Sequence, residues 1–145
     1  LLADKDALAQ AIDDLARWAG EHRPEIVVGG EARGFLIGAA LAYRLGAGFV
    51  PVRKPKKLPA ECERIEYELE YGTDALEAHA DALGPGDRVV LVDDLLATGG
   101  TARAGVELVR SFGCELVAVE FLVELAGLEG RRRLEDVEVH ALLRL

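Results

Sequence analysis

The spacing of apolar residues changes several times along this chain, and each change marks a different element. A helical stripe follows Asp4, a residue type suited to a helix N-cap, and comprises Ala7, Leu8, Ala11, Ile12, Leu15 and Trp18. An apolar run at 26–28 predicts a buried strand, a second helical stripe spans 35–45 up to Gly46, and another strand spans 48–52. This strand–helix–strand unit predicts parallel strands joined by a right-handed crossover.

The second half of the chain begins with an alternation of period two. Apolar residues alternate with glutamates over 65–71, which predicts a half-exposed strand. A turn at 72–74 and a return strand around 76–78 would complete a hairpin. Apolar runs at 89–92, 116–123 and 137–142 predict three more strands, with one helix after Gly99 and another at 131–134. The order predicts an α/β fold, an open and mainly parallel sheet flanked by helices, with a hairpin or flexible loop as an insert.

Composition narrows the class of protein further. A chain of 145 residues, 50% hydrophobic and 30% charged, suits one folded domain and argues against a disordered or membrane-spanning protein. The net charge of −9 argues against nonspecific binding to nucleic acid or to an anionic membrane. Cys62 and Cys114 lie far apart in the sequence, which favours free thiols in a reducing, cytoplasmic setting.

The most informative stretch is VVLVDDLLATGGT, which covers positions 89–101. Its buried strand ends in Asp93 and Asp94, and side-chain alternation predicts that the two carboxylates turn to different neighbours. Like charges this close repel, so a bound cation or a hydroxyl-bearing ligand would stabilise them. Small, flexible or hydroxyl-bearing residues then lead into a helix and suit a bound phosphate: Ala97, Thr98, Gly99, Gly100 and Thr101. The alternative is an ordinary connection in which Thr98 or Thr101 caps the helix.

Three other groups fall at the same edge of the predicted sheet. Arg33 lies near a helix N-terminus, where the helix dipole disfavours a cation unless an anion is bound there; the alternative is an ordinary surface arginine. Four cations occur in five positions directly after a strand and favour an anion clamp over a solvated charged face: Arg53, Lys54, Lys56 and Lys57. The hairpin tip around Glu70 and Tyr71 is either a simple turn or a loop that closes over the site.

Together these motifs resemble the type I phosphoribosyltransferases. VVLVDDLLATGGT is similar to the signature with which they bind phosphoribosyl pyrophosphate (PRPP), and EARGF, RKPKKLP and YELEYG resemble the adenine branch of the family. The resemblance spans essentially all 145 residues. It implies a cytoplasmic homodimer of purine salvage that joins adenine to PRPP, releases AMP and pyrophosphate, and uses Mg²⁺. Three alternatives stay open: a regulatory protein that senses PRPP, a phosphoribosyltransferase for another purine base, and a general nucleotide-binding α/β protein.

The resemblance also implies a role for each matching residue. Residues 97–101 would hold the 5′-phosphate, while Asp93 and Asp94 would contact the ribose hydroxyls and, through water, Mg²⁺. Pyrophosphate would be bound by a turn with a non-proline cis peptide and by the basic loop, that is, by Glu31, Ala32, Arg33, Arg53, Lys54 and Lys57. Some of these cations could act across the dimer. The catalytic residues would be Glu70, as proton donor to the base, with Tyr71 and Arg33. The base would lie against Val123, Glu124 and Leu125.

The sequence departs from the family pattern at a few positions. Gly30 stands where relatives commonly have a larger apolar residue, and Lys56 stands where they commonly have glycine. We expect residues 1–145 to form a single phosphoribosyltransferase domain. We also expect it to lack the N-terminal segment that, in relatives, precedes the position of Leu1 and covers the purine.

Overall fold

The computed structural model describes residues 1–69 and 71–145. Three helices span Lys5–Glu21 (α1), Arg33–Leu45 (α2) and Gly100–Ser111 (α3). Seven strands span Ile26–Gly30 (β1), Gly48–Val52 (β2), Cys62–Leu69 (β3), Gly72–His79 (β4), Arg88–Leu96 (β5), Glu115–Glu124 (β6) and Val139–Arg144 (β7). Two short 3-10 turns, Ala126–Leu128 and Gly130–Leu134, connect β6 to β7. None of the helices in the described ranges is long and apolar enough to cross a bilayer.

Five of the strands form one parallel sheet in the order β2-β1-β5-β6-β7, and β3 and β4 pair as an antiparallel hairpin. In the centre of the sheet, Val28 of β1 lies opposite Val50 of β2 and Leu91 of β5. The predicted α/β fold, with an open parallel sheet and a hairpin insert, is therefore confirmed. In such a sheet the carboxyl ends of β1, β2 and β5 meet at one edge, where ligands bind in folds of this kind.

The core lies in two layers, one on each face of the sheet. On one face, α1 and α2 bury Leu15 and Leu41 against Val90. On the other face, α3 and the hairpin bury Leu108 and Leu76 in a cluster that also contains Phe121 and Leu134. Because both faces of β1 and β5 are covered, these strands consist of continuous apolar runs rather than alternating ones.

Residues that begin and end the helices match their sequence signals. The carboxylate of Asp4 accepts hydrogen bonds from the backbone N–H groups of Asp6 and Ala7, both at 3.0 Å, and so begins α1 as predicted. Gly46 ends α2 in the left-handed conformation, with φ of 69°. The N-cap satisfies the first N–H groups of α1, and the left-handed Gly46 allows the chain to turn back into β2.

Several predicted boundaries are wrong: the last strand spans Val139–Arg144 instead of 137–142, the first strand of the hairpin begins at Cys62, and two further errors lie near the site. Residues 72–74 do not form the turn of the hairpin but begin β4, in which Thr73 lies opposite Glu68 and Asp74 lies opposite Tyr67. Polar residues are tolerated there because this end of the hairpin is exposed to solvent. Strand β5 also continues through Asp93 and Asp94 to Leu96, since β6 runs alongside it and supplies partners beyond the aspartates.

Candidate active site

One cavity at the carboxyl edge of the sheet joins three of the motifs found in the sequence. Its volume is about 400 Å³, and its lining residues are Glu31, Ala32, Arg33, Asp93, Asp94, Leu95 and Thr101. The acidic pair comes from β5, the turn 31–33 connects β1 to α2, and Thr101 lies in the first turn of α3. The fold thus brings the acidic pair, the turn and the last residue of the predicted phosphate loop 97–101 to a single site.

The two aspartates have different partners, as predicted, but they share this cavity. Asp93 Oδ1 accepts a hydrogen bond from the backbone N–H of Asp94 at 2.9 Å, whereas Asp94 Oδ2 lies 2.6 Å from Arg33 Nε. Burial, together with the negative charge of Asp94, raises the pKa of Asp93 to about 7. The pair is therefore a site of unfavourable charge, and a cation or hydroxyl donor placed in the cavity would relieve it.

Gly34 makes room for Asp93 at the beginning of α2. A Cβ atom at Gly34 would lie 2.9 Å from Asp93 Oδ1, and one at Gly30 would lie 3.8 Å from Asp93 Oδ2. Any side chain at Gly34 would therefore push the carboxylate out of its place. Gly34 was not singled out from the sequence, although its position directly after Arg33 in EARGF was the available signal.

The phosphate loop 97–101 packs directly on the second 3-10 turn. A Cβ at Gly99 would lie 2.5 Å from the carbonyl oxygen of Gly130, and one at Gly130 would come within 2.2 Å of the carbonyl oxygen of Ala97. Gly99 is also the N-cap of α3, with φ of 85°, and no side chain among the described residues caps this helix. The alternative with Thr98 or Thr101 as the cap is therefore wrong. The first N–H groups of α3 lack intrahelical partners and can bind an anion.

The turn 31–33 is connected to the basic loop through Glu31. The Glu31–Ala32 peptide bond is cis. The backbone N–H of Glu31 donates to the carbonyl of Val52 at 3.0 Å, and its carboxylate accepts from the backbone N–H of Lys54 and from Lys57 Nζ, the latter at 2.5 Å. Burial opposes ionisation of Glu31, but these hydrogen bonds outweigh it and lower its pKa. Glu31 therefore holds cations beside the turn, while Ala32 and Arg33 remain exposed.

The basic loop is also connected to the hairpin. Lys54 Nζ donates to Tyr67 Oη at 2.7 Å and contacts the carboxylate of Asp74. Burial would lower the pKa of Lys54, but its bonds to Asp74 and Tyr67 outweigh this effect and raise it. Arg53 forms a backbone bridge to Glu77 of β4. Sequence reasoning missed Asp74, because nothing in its local pattern indicates a partner twenty positions away.

Lys56, the departure noted in the sequence, adopts φ of 67°. Glycine reaches this left-handed conformation without steric cost, whereas lysine pays a modest penalty for it. The side chain of Lys56 is exposed, in contrast to that of Lys54. This conformation suits glycine, the residue expected here from the family pattern, better than lysine.

The hairpin tip borders a second cavity, which extends from the phosphate loop. Glu70, the predicted proton donor, lies outside the described residues. Tyr71 is 94% exposed. The cavity has a volume of about 580 Å³, and its lining residues are Glu68, Leu69, Tyr71, Thr98, Gly100, Thr101 and Arg133. The hairpin tip is therefore close enough to the phosphate loop to cover a ligand bound there.

No residue of the predicted base segment 123–125 lines the cavity of the acidic pair or the cavity at the hairpin tip. Glu124 is 2% exposed, and its Oε2 accepts from Arg131 Nη2 at 2.5 Å, with Arg144 Nε 3.7 Å from Oε1. The hydrogen bond with Arg131 lowers the pKa of Glu124. Its carboxylate borders a separate cavity beside Arg131 and Arg144, away from the acidic pair. Val123 is half-buried, and the backbone N–H of Leu125 donates to Leu96 at 2.9 Å.

The acidic pair has a donor set that suits Mg²⁺. No group of three or more His, Cys, Asp and Glu side chains with metal-binding geometry occurs in residues 1–69 and 71–145. Magnesium does not need one, because proteins commonly hold it with one or two carboxylates while water and substrate oxygens complete the octahedron. Asp93 and Asp94 supply two carboxylates on a cavity with room for such oxygens.

Comparisons with known proteins identify the family of this chain. The family described as phosphoribosyl transferase domain matches residues 2–141. Adenine phosphoribosyltransferase of Acidobacterium capsulatum is 57% identical over 143 residues, which cover 99% of this chain and 79% of that protein. The crystal structure of adenine phosphoribosyltransferase from Thermoanaerobacter pseudethanolicus has a TM-score of 0.96 at 52% identity. The match covers 99% of this chain and 84% of the chain in that structure.

A more distant structure carries bound ligands. This is adenine phosphoribosyltransferase from Trypanosoma brucei in complex with AMP, pyrophosphate and ribose-5-phosphate, with a TM-score of 0.90 at 27% identity. The match covers 99% of this chain and 66% of the Trypanosoma brucei chain. Fold and sequence identity lead to the same assignment. The chain belongs to the phosphoribosyltransferase family and, within it, to the adenine phosphoribosyltransferases.

Proposed function

We propose that this protein transfers the phosphoribosyl group of PRPP to adenine and releases AMP and pyrophosphate, a reaction of purine salvage. The observation that carries the proposal is the single cavity bordered by the turn 31–33, by Asp93 and Asp94, and by Thr101 of the phosphate loop. PRPP has a phosphate at one end, a ribose diol in the middle and a pyrophosphate at the other end. The three groups that line the cavity match these three parts in kind.

Each part of PRPP has a proposed binding group. The 5′-phosphate accepts hydrogen bonds from the phosphate loop 97–101 at the beginning of α3. The ribose hydroxyls donate to Asp93 and Asp94. The pyrophosphate is bound by the turn 31–33 and by the cations of the basic loop, Arg53, Lys54 and Lys57. The contacts of Glu31 with this loop support the last assignment, because they hold positive charge beside the turn.

Mg²⁺ is the proposed cofactor, held with the substrate by Asp93 and Asp94 through water. When bound, it would neutralise charge on the departing pyrophosphate. The raised pKa of Asp93 supports this arrangement, because a carboxylate that is costly to ionise alone is stabilised by a nearby cation.

Catalysis requires stabilisation of charge at both sides of the bond that breaks. Substitution at the ribose C1 passes through a cationic state, while negative charge increases on the pyrophosphate. Arg33, on the exposed turn and paired through Nε with Asp94, is proposed to stabilise that negative charge. Closure of the hairpin tip with Tyr71 excludes water, which would otherwise capture the cationic sugar.

Glu70 is proposed to donate a proton to the base. The base itself is expected to lie against Val123 and Leu125 and the backbone of Glu124, whose carboxylate is held by Arg131.

The protein is also proposed to form a homodimer. Two large side chains on the outer face of α2 support this proposal: Leu36 is 55% exposed and Tyr43 is 91% exposed. They lie seven positions apart and therefore on the same face of the helix.

Incubation of the protein with PRPP, Mg²⁺ and adenine tests the proposed reaction. The expected products are AMP and pyrophosphate in equal amounts, with hypoxanthine and guanine as poor substrates in parallel reactions. PRPP binding without turnover of any base would favour the regulatory alternative. Faster turnover of another purine than of adenine would contradict the assignment of the base.

A further inference from the structure

Arg133 is a cation at the phosphate end of the site to which neither the family signature nor the sequence analysis gives a role. It lies in the second 3-10 turn and lines the 580 Å³ cavity together with three members of the phosphate loop, Thr98, Gly100 and Thr101. The hairpin tip forms the opposite wall of this cavity. Arg133 therefore faces the place where the 5′-phosphate is proposed to bind.

The backbone on both sides of Arg133 is firmly held. Arg131 binds the buried carboxylate of Glu124 and donates from Nη1 to the carbonyl of Val139 at 2.7 Å. Leu134 is 1% exposed in the core. Gly130, at the start of the same turn, packs against the carbonyl of Ala97. The position of the Arg133 backbone relative to the phosphate loop is thus fixed by contacts before and after it.

A phosphate bound at this end of the site would be stabilised by a nearby cation. The phosphate loop offers N–H groups and hydroxyls but contains no charged residue. Glu68 lines the same cavity and would repel a phosphate. The cations Lys54 and Lys57 are held by Asp74 and Glu31, beside the turn 31–33. A guanidinium binds phosphate oxygens with short, charge-assisted hydrogen bonds and would offset the repulsion from Glu68.

We propose that Arg133 binds the 5′-phosphate of PRPP and AMP, closing the phosphate site on the side away from the acidic pair. This inference rests on the proposed function for the identity of the ligand. It assigns to the second 3-10 turn both the support of the phosphate loop, through Gly130, and a direct contact with the substrate, through Arg133.

The chain offers a matched control in Arg132. This residue is on the same 3-10 turn and carries the same charge, but its guanidinium pairs with Glu129 at 2.7 Å and borders the cavity of Glu124 instead. Arg133→Gln and Arg132→Gln therefore remove the same charge at neighbouring positions. Both side chains are exposed, so neither substitution is expected to change the thermal midpoint appreciably.

Calorimetric titration of both variants with AMP, and with pyrophosphate in the presence of Mg²⁺, tests the proposal. Loss of a hydrogen bond to a charged group predicts that Arg133→Gln weakens AMP binding about tenfold or more. Pyrophosphate binding should stay unchanged, Arg132→Gln should behave like the wild type, and Arg133→Lys should recover part of the affinity.

Equal AMP affinity in the Arg133 and Arg132 glutamine variants would overturn the proposal. So would a parallel loss of AMP and pyrophosphate binding, because that would indicate a general effect of charge. Assays of the unmodified protein separate this inference from the proposed function. If the unmodified protein binds AMP but does not form it from PRPP and adenine, the proposed reaction is wrong. A selective loss of AMP binding in Arg133→Gln would still support the phosphate contact.

Discussion

Asp93 and Asp94 illustrate how a single pair of residues can favour binding at the cost of stability. Replacement of both by Asn should remove the repulsion between them and retain the N–H···O bond to the side chain of residue 93. Asp94 also loses its pairing with Arg33, but that arginine side chain is 71% exposed, so the pairing contributes little to stability. We expect PRPP affinity to fall by at least about tenfold, because charge-assisted bonds contribute roughly 1.5–3 kcal/mol each.

Titration with PRPP and thermal unfolding together check this prediction, with the exposed Asp81→Asn as a control for loss of charge. The double variant should have a thermal midpoint no lower than that of the wild type. An unfolded double variant would show that the pair is structural, and unchanged PRPP affinity would remove it from the binding site.

Glu70 permits a separate test of catalysis. If it donates a proton to the base, Glu70→Gln should lower kcat by about 10²–10⁴-fold with little change in PRPP affinity, because the group acts on the transition state. Glu63→Gln is a suitable control, since Glu63 is an exposed glutamate on β3 at a distance from the hairpin tip. Steady-state rates and PRPP titration of both variants distinguish the outcomes. A silent Glu70→Gln would refute the catalytic role, and a parallel loss of PRPP affinity would indicate a role in closure instead.

Glu120 should make stability depend on pH without taking part in the reaction. It is fully buried on β6, where its Oε1 lies 2.9 Å from His140 Nδ1 and its Oε2 has no hydrogen-bond partner within the described ranges. Burial raises the pKa of Glu120 from 4.5 to about 8. The folded state thus binds more protons than the unfolded state between these values, and stability decreases as pH rises through this window.

Glu120→Gln should therefore raise the thermal midpoint, by roughly 4 °C or more at about pH 9 and by less at about pH 5. Burial and the charge of Arg131 lower the pKa of His140, and this lowered pKa makes stability increase as pH rises. His140 is present in both proteins compared, so its effect cancels in the difference. Thermal unfolding at the two pH values measures the difference, with the exposed Glu115→Gln on the same strand as a control. An equal gain at both values would contradict the assigned titration.

At the residue scale, the sequence was a better guide to which side chains lie at the site than to which residues they pair with. Asp93, Arg33 and Thr101 were expected together because strand ends meet at one edge, and they share a cavity. The pairing of Glu124 with Arg131 was not foreseen, since it depends on how the chain folds back after β6. Periodicity determines the face on which a residue lies, whereas its partner depends on packing between distant segments.

At the scale of elements, the contact between the phosphate loop and the second 3-10 turn is the most demanding in steric terms. Gly130→Ala would place a methyl group against the carbonyl of Ala97, a contact that backbone shifts must relieve. We expect unfolding free energy to fall by about 1–3 kcal/mol and AMP affinity to decrease with it. Gly127→Ala is the matched control, because its Cβ would meet no atom within 4 Å.

Denaturant unfolding and AMP titration of the two alanine variants check this prediction. Equal stability of both would show that the close approach of the two segments is not needed. A loss of stability without a loss of AMP affinity would separate the support of the loop from its function.

Elements that lie in the core were predicted more reliably than those at the edge. The strand β1 and the parallel order follow from apolar runs, because burial on both faces leaves few alternatives, and a glycine signal predicted the end of α2. The hairpin turn was misplaced because the tip is exposed, and there neither apolar pattern nor burial distinguishes a turn from a strand. Local pattern is informative only where packing restricts the chain.

At the scale of the whole molecule, the position of α2 links the site to the outer surface. Its inner face packs Ile37 and Leu41 on the sheet, and its N-terminus begins at Arg33 of the site. Its outer face exposes Leu36 and Tyr43. If a second copy covers this face, as proposed, Leu36→Asp should dissociate the dimer, because burial of a carboxylate against apolar surface is costly. Leu128→Asp is the control, since Leu128 is 49% exposed and lies on the first 3-10 turn, away from α2.

Sedimentation equilibrium of both variants, together with the rate of AMP formation, tests this arrangement. Leu36→Asp should sediment as a monomer with an unchanged thermal midpoint, and Leu128→Asp should sediment like the wild type. If cations of the basic loop act across the dimer, the monomer should also have a raised KM for PRPP. A dimeric Leu36→Asp would place the interface elsewhere, and a fully active monomer would show that each copy supplies its own pyrophosphate contacts.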